Sequence, residues 1–234
     1  MTPSQLMAEM RDYADLLVNQ GVALTANPVV PQHPEPSLTR ITSQRLAART
    51  GRLTDFAFAS IDEYRALLES QDYLVVLADG ALIQLSYDFR GNTLVRHRLC
   101  FYPCPYDVDP ALLAQDPMLD VVDTYESEGA DYLRLRTPLR FDFDSQHEDD
   151  DHSATHVHML WAHCRCAVAG PVSIGRFSRF VFRHFYPHLW CEHRFLRDMK
   201  QARWNRSIRP RDEEFLHFSW RGESPNRRAS GGSA

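Results

Sequence analysis

The fold is decided by the segment between residues 73 and 105, which reads YLVVLADGALIQLSYDFRGNTLVRHRLCFYPCP. Three apolar-rich runs in it predict strands at Tyr73–Leu77, Ala81–Phe89 and Leu94–Tyr102. The runs are separated by DG and GN, dipeptides that are typical of tight turns. Because connections this short can join only antiparallel neighbours, the segment predicts a three-stranded meander.

Two further runs extend the predicted sheet. The segment DYLRLRTPLRFDFD alternates apolar and polar residues and predicts a fourth strand, and THVHMLWAHCRCAVAG predicts a fifth. Pro138 in the fourth run implies an edge position or a bulge, because proline cannot donate a ladder hydrogen bond. The expected fold class is α+β, with an antiparallel sheet of about five strands (meander plus hairpin) and helices packed on one face.

Segments with helical periodicity precede and follow the predicted sheet in the sequence. An N-terminal helix is predicted for residues 4–20 and basic C-terminal helices for residues 174–205. The segment ANPVVPQHPEPS, which follows the N-terminal helix, is rich in proline and predicts an irregular connector. These elements predict one α+β domain over residues 1–220 with its sheet core at 73–170. The composition of residues 221–234 predicts a disordered tail.

Composition limits the class of protein. The 234 residues are 44% hydrophobic and carry a net charge of -5, which fits one globular domain. No run approaches the ~18 apolar residues of a membrane span, and the N-terminus lacks the apolar core of a signal peptide. We therefore expect a cytoplasmic protein without membrane contact. Its five cysteines are an odd number, which favours free thiols over a disulfide framework.

A dense polar stretch at residues 140–158 reads RFDFDSQHEDDDHSATHVH. If the fourth and fifth strands pair around this loop, strand alternation brings one set of polar side chains together: Arg140, Asp142, Asp144, His152, His156 and His158. From this set we predict four catalytic residues, His152, His156, Arg140 and Asp144.

The chemistry of this stretch has three interpretations. Carboxylates with imidazoles suit a divalent cation, but they equally suit metal-free acid/base work. The third interpretation is a solvated acidic loop. Since no standard metal-ligand spacing is met, we expect no metal and no other cofactor, with a divalent cation as the alternative. In metal-free chemistry Arg98, Arg140 and Arg165 would hold a scissile phosphate. The alternative is a set of exposed sheet arginines paired with Asp88, Asp142 or Asp144.

Basic residues are concentrated near the C-terminus, where aromatic residues lie among them. This pattern is typical of a surface that binds a polyanion. The predicted nucleic-acid-binding residues are Arg176, Arg179, Arg183, Arg194, Arg197, Lys200 and Arg203. The expected partners are nucleic acid and a protein encoded in the same operon.

Five sequence blocks carry a resemblance to a known family: DGALIQLSYDFRGNTLVRHRLCFYPCP, PLRFDFD, the pair H-x3-H at His152 and His156, CRCAVAGPVS and FSRFVFRHFYP. In their order the chain resembles the uncharacterised bacterial proteins grouped as domain of unknown function 2290. That family pattern has a proline where Ser153 stands and a threonine where His158 stands, which favours His152 and His156 over His158. The resemblance implies membership but no activity. An R-F-D sequence followed by spaced histidines is also similar to small toxins of toxin–antitoxin pairs.

These features lead to two hypotheses about function. The first is a bacterial defence or toxin-type effector that acts on nucleic acid as a ribonuclease-like phosphodiesterase with a His/Arg/Asp site. The alternative is a non-catalytic nucleic-acid- or protein-binding subunit of a defence or mobile-element complex. Whether the chain is an enzyme stays open, although the sequence has no Walker loop, dinucleotide fingerprint or serine-hydrolase elbow.

Overall fold

The computed structural model describes residues 1–43, 60–146, 153–159, 161–200, 202 and 204–220. The dominant feature of these residues is a ten-stranded sheet. Its strands are β1 (Ala23–Ala26), β2 (Val30–Glu35), β3 (Leu38–Thr42), β4 (Val75–Leu77), β5 (Leu82–Arg90), β6 (Thr93–Tyr102), β7 (Leu139–Asp144), β8 (Thr155–Met159), β9 (Trp161–Val168) and β10 (His217–Phe218).

Eight α-helices accompany the sheet in the described part of the chain. They are α1 (Pro3–Asn19), α2 (Ile61–Glu69), α3 (Pro110–Leu113), α4 (Met118–Glu128), α5 (Ile174–Phe185), α6 (Pro187–Glu192), α7 (Arg194–Asp198) and α8 (Pro210–Glu213). The first helix begins with a capping box, in which Thr2 and Gln5 each accept the other's backbone N–H. Among the described residues, no helix combines the length and the apolarity needed to cross a bilayer.

The predicted meander is present as β4, β5 and β6, which pair antiparallel. The sheet order is β1-β4-β5-β6-β7-β8-β9-β10, and β3 pairs with the second half of β5 and with β2. Because β5 has nine residues, one of its edges can hold both β4 and β3.

The prediction of about five antiparallel strands was wrong in two respects. The proline-rich segment predicted as an irregular connector contains β2, which holds two prolines and pairs with β3 alone. An outer strand accepts proline because one of its sides needs no ladder hydrogen bonds. The sheet is also mixed, since β10 runs parallel to β9.

The last two predicted strands also differ from the structure. The run expected to form a fifth strand forms both β8 and β9, which pair antiparallel with a register shift after His158. The edge position inferred from Pro138 was wrong, because β7 lies between β6 and β8. Pro138 immediately precedes β7, where its missing N–H is not needed by the ladder.

Helices cover both faces of the sheet, so the prediction of helices on one face only was wrong. On one face, α1 and α5 pack on alternate strand residues such as Phe141, whose ring lies 6.1 Å from that of Phe177. On the other face, Tyr64 of α2 and Val122 of α4 join a separate core that includes Tyr102. Among the described residues this second core includes none from β7, β8 or β9, and the same face of β7 and β8 carries Arg140, Asp142, His156 and His158.

His97 of β6 illustrates how strand alternation turns neighbouring side chains to opposite faces of the sheet. It stands between Arg96 and Arg98, but its side chain points into the α1/α5 core and is 1% exposed. Its Nε2 accepts the Val172 N–H at 2.8 Å, which fastens the segment before α5 to the sheet. Burial lowers the pKa of His97 from 6.5 to about 3, although the Asp142 charge opposes this shift. The imidazole is therefore neutral at physiological pH.

This depressed pKa predicts an acid-sensitive core. The stabilisation that depends on neutral His97 is complete above pH 6.5, the pKa of the unfolded chain. It is lost as the pH falls towards about 3, the pKa of His97 in the folded protein. His97→Gln keeps an acceptor for the Val172 N–H but removes this titration. Between pH 7 and pH 5 we expect the wild-type free energy of unfolding to fall by about 2 kcal/mol more than that of the variant. Urea unfolding at each pH measures this difference in free energy. The exposed His184→Gln is the control. Parallel pH profiles for wild type and His97→Gln would contradict the assignment.

Candidate functional site

The register of four adjacent strands assembles a polar site on the sheet face opposite α1 and α5. In one cross-strand row Arg98, Asp142 and His156 are direct neighbours on β6, β7 and β8. In the next row Arg140 of β7 faces His158 of β8. We call these five side chains the polar cluster: Arg98, Arg140, Asp142, His156 and His158.

Asp142 is the centre of the polar cluster. Its Oδ1 accepts Arg98 Nε–H at 3.1 Å, and its Oδ2 accepts Arg140 Nε–H at 2.8 Å. The Nε2 atom of His158 lies 3.5 Å from the same Oδ2. Burial alone would raise the pKa of Asp142, but the His158 hydrogen bond and the two guanidinium charges outweigh burial and hold this pKa well below its usual range. Asp142 is therefore ionised at any physiological pH.

The two imidazoles of the polar cluster face each other. His156 and His158 are 5% and 2% exposed, and their Nε2 atoms are 3.0 Å apart. His156 Nδ1 lies 2.9 Å from the carbonyl oxygen of Ser153. Because a carbonyl can only accept, Nδ1 must carry the proton, and the Nε2 lone pair of neutral His156 points at His158.

Two arginines connect the polar cluster to solvent, whereas a third is buried. The Arg98 side chain is 35% exposed, but that of Arg140 is only 6% exposed. On the other side Arg165 of β9 is exposed and lies directly opposite His158 in the β8–β9 register. The imidazole pair is thus flanked by two guanidinium groups that reach the surface.

A second row of ion pairs continues across the sheet beside the polar cluster. Arg96 Nε donates to Asp144 at 2.9 Å, and its Nη1 lies 3.7 Å from Asp88. Asp88 in turn accepts from Arg40 at 2.7 Å. The polar cluster therefore has a paired, charge-compensated neighbour along its β5–β6 side.

Helix α2 contributes a carboxyl group at the edge of the site. The Tyr102 hydroxyl lies 3.4 Å from Glu63 Oε2, and it also donates to the Ser60 carbonyl at 3.1 Å. Burial raises the pKa of Glu63 to about 7, and the Tyr102 hydrogen bond and the Arg140 charge oppose this shift. A group that titrates near neutral pH thus lies close to Arg140. Glu63 was not predicted as a site residue, because its place three residues after the N-cap Ser60 fits a helix-capping pattern.

The predicted catalytic residues have different positions. Arg140 and His156 lie in the polar cluster, whereas Asp144 pairs with Arg96 in the neighbouring row. His152 lies outside the described residues. His158, which the family pattern disfavoured, contacts both Asp142 and His156.

The predicted nucleic-acid-binding residues lie on the opposite side of the sheet, and several are engaged within the chain. The Arg176 guanidinium lies 4.3 Å from the Trp220 ring. Arg197 donates to the carbonyls of Trp190 and Cys191, which lie in the last turn of α6. These two arginines stabilise the C-terminal segment as well as supplying charge.

The other residues of that set are more exposed. Arg179 donates to the Arg197 carbonyl at 2.5 Å, and Arg194 pairs with Asp198 at 2.7 Å. Arg183 and Lys200 are exposed. Arg203 lies outside the described residues.

Fold and site together define an α+β protein with a buried His/Arg/Asp cluster on one face of a mixed sheet. Over residues 23–220 the chain matches the family described as uncharacterized conserved protein (DUF2290), and it belongs to that family. The matched range includes every strand of the sheet and the whole polar cluster. No curated protein and no solved structure matches the chain. The similarity to toxin–antitoxin toxins finds no support in these comparisons.

The burial of the polar cluster predicts a large penalty for removing its carboxylate. Asp142→Ala leaves the buried Arg140 without its carboxylate, and we expect a loss of about 3–5 kcal/mol in the free energy of unfolding. Asp107→Ala is the matched control, because Asp107 also pairs with two arginines but is 52% exposed. It should cost about 0–1 kcal/mol. Chemical denaturation measures both, and equal costs would contradict the buried, paired state of Asp142.

Proposed function

We propose that the polar cluster is the active site of a phosphodiesterase that acts on nucleic acid, as in a ribonuclease-like effector of bacterial defence or toxin systems. The observation that carries this proposal is the imidazole pair, with Nε2 atoms 3.0 Å apart, flanked by arginines on both sides. Phosphodiester cleavage needs both parts: cationic groups that bind the phosphate and a group that activates the nucleophile.

The arginines supply the phosphate-binding part. Arg98 and Arg165 lie on either side of the imidazoles and reach solvent, where a nucleic-acid backbone arrives. A guanidinium offers paired N–H donors in a plane that matches two phosphate oxygens. Within the polar cluster two arginines face one aspartate, so these residues carry an excess positive charge that attracts an anion.

The imidazoles supply the part that activates the nucleophile. His156 and His158 can act on a water molecule either by taking its proton or by holding a cation that acidifies it. Ser153 fixes the tautomer of His156, and Asp142 contacts His158, so both rings are oriented before substrate binds. Oriented polar groups in a site shielded from water are the usual source of large rate enhancements.

A stability role alone explains this arrangement less well. Burying two imidazoles and the Arg140 guanidinium around one carboxylate costs desolvation energy that apolar residues would not incur. The sheet has enough apolar positions to form its cores without these residues. Polar groups concentrated at one buried place are more typical of a site than of a core.

The second candidate function is a non-catalytic subunit that binds nucleic acid or a protein from the same operon. It is favoured by Arg179, Arg183 and Lys200, which are exposed on the side of the sheet opposite the polar cluster. In this case the basic surface of α5–α7 would make the contact, and the polar cluster would be structural.

Cleavage of end-labelled RNA and DNA oligonucleotides tests the proposed activity. We expect the wild type to cleave, His158→Gln to lose about 10²–10⁴-fold in rate and Arg165→Gln about 10²–10³-fold. The matched controls are His184→Gln and Arg90→Gln, which make the same changes at exposed positions away from the polar cluster. Both controls should cleave at the wild-type rate.

Two results would contradict the proposal. Wild-type rates in His158→Gln and Arg165→Gln would remove the polar cluster as the active site. Binding without cleavage, weakened by Arg179→Glu with Arg183→Glu and steeply dependent on salt, would favour the binding subunit.

A further inference from the structure

The geometry points to a binding site for one divalent transition-metal cation of the zinc type, held by His156 Nε2, His158 Nε2 and a carboxylate oxygen of Asp142. These three ligand atoms lie within 4.8 Å of one another. The inference deepens the proposed function, on which its catalytic meaning rests, although metal binding itself can be tested without any substrate.

Two of the three distances between the ligand atoms fit a common ion as they stand. With Zn–N and Zn–O bonds of about 2.0–2.2 Å, the Nε2 atoms of His156 and His158, 3.0 Å apart, subtend roughly 95° at the metal. The 3.5 Å between His158 Nε2 and Asp142 Oδ2 subtends roughly 115° at the same bond lengths. Both angles lie close to those of octahedral or tetrahedral coordination.

The orientation of the rings supports convergence on a point between them. The ring centroids of His156 and His158 are 4.8 Å apart, and their planes are inclined by 72°. A linear N–H···N hydrogen bond of the observed length would separate the centroids by about 5.3 Å. The contact between the two Nε2 atoms is therefore bent and not linear, as it is when two imidazoles share one cation.

The surroundings hold the ligands as metal sites usually do. The carbonyl oxygen of Ser153 accepts a hydrogen bond from the Nδ1–H of His156, which leaves Nε2 as the coordinating nitrogen. Arg98 and Arg140 fix the carboxylate of Asp142, each through a different oxygen. Since each carboxylate oxygen has two lone pairs, one remains on each for a metal.

The two guanidiniums also predict which cation binds and how tightly. Their positive charge opposes a dication, so affinity should be lower than at structural zinc sites. Two imidazole ligands favour Zn²⁺, Co²⁺ or Ni²⁺ over Mg²⁺ and Ca²⁺, which prefer all-oxygen sites. Three protein ligands leave room for a water molecule or a phosphate oxygen, as in catalytic rather than structural zinc sites.

The cation would supply the nucleophile for the proposed hydrolysis. A zinc-bound water has a pKa of about 7 and releases its proton near neutral pH. The oxygen of that water would bond to phosphorus, the ester P–O bond would break, and the leaving oxygen would take up a proton from solvent. Arg98 and Arg165 would hold the two non-bridging phosphate oxygens during this exchange.

Zinc titration of chelator-treated full-length protein tests the inference by calorimetry and by NMR of the ¹⁵N-labelled imidazoles. We expect the Nε2 resonances of both His156 and His158 to shift on addition of Zn²⁺ but not of Mg²⁺, while the Nδ1 proton of His156 stays in place. His158→Gln and Asp142→Asn should each weaken this binding by about 100-fold or more. His163→Gln and His184→Gln, at exposed histidines, should leave it unchanged.

The outcomes separate this inference from the proposed function. Unchanged His156 and His158 resonances in the zinc-treated wild type would overturn the metal site, even if a variant failed to fold. Wild-type affinity in folded His158→Gln would overturn it as well. If zinc binds at these histidines but no oligonucleotide is cleaved, the metal site stands and the phosphodiesterase proposal fails. If no zinc binds and cleavage persists after zinc removal, the metal site fails and the phosphodiesterase proposal stands.

Discussion

The antiparallel register of β7 and β8 is the constraint on which the site depends. It sets Asp142 opposite His156 and Arg140 opposite His158, so three kinds of functional group share one small area of the sheet. A slip of one residue would turn every side chain of one strand to the other face. A slip of β7 would place Phe141 among the charges, and a slip of β8 would place His156 in the core. The packing of Phe141 on α5 opposes the first, and the full burial of Val157 opposes the second. The core therefore enforces the geometry of the site.

The helices cover the two faces of the sheet to different extents, and this difference makes such a site possible. The α1/α5 core runs behind β5–β8, whereas the α2/α4 core covers only the β4–β6 part of the other face. On this face Arg140, His156 and His158 are almost fully buried, although the α2/α4 core includes no residue of β7 or β8. Asp142 keeps the enclosed charges compatible with folding by accepting from Arg98 and Arg140. The site has the burial that strengthens electrostatic interactions and the exposed arginines that a charged ligand can reach.

Strand alternation was a sound guide to local structure and a poor guide to distant partners. It predicted the meander, the pairing of the strands that hold Asp142 and His156, and the shared face of His158. Ion pairs between sheet arginines and Asp88, Asp142 or Asp144 were predicted only as an alternative and are present. The sequence could not assign the partners, because the β6–β7 register spans a long connection. Proline content hid β2, whose outer position removes the usual cost of proline. Glu63 was missed because nothing in a capping pattern shows that a helix will dock beside Arg140.

The central claim is that the polar cluster is kept for chemistry and not for stability. The free energy of unfolding of the double variant His156→Leu/His158→Leu tests it most directly. In this variant Asp142 keeps both of its guanidinium partners, and apolar side chains replace both buried imidazoles. We therefore expect a free energy within about 1 kcal/mol of the wild type, or above it. A loss of more than about 3 kcal/mol in a chain that still unfolds cooperatively would contradict the claim, because it would show that the imidazole pair stabilises the sheet.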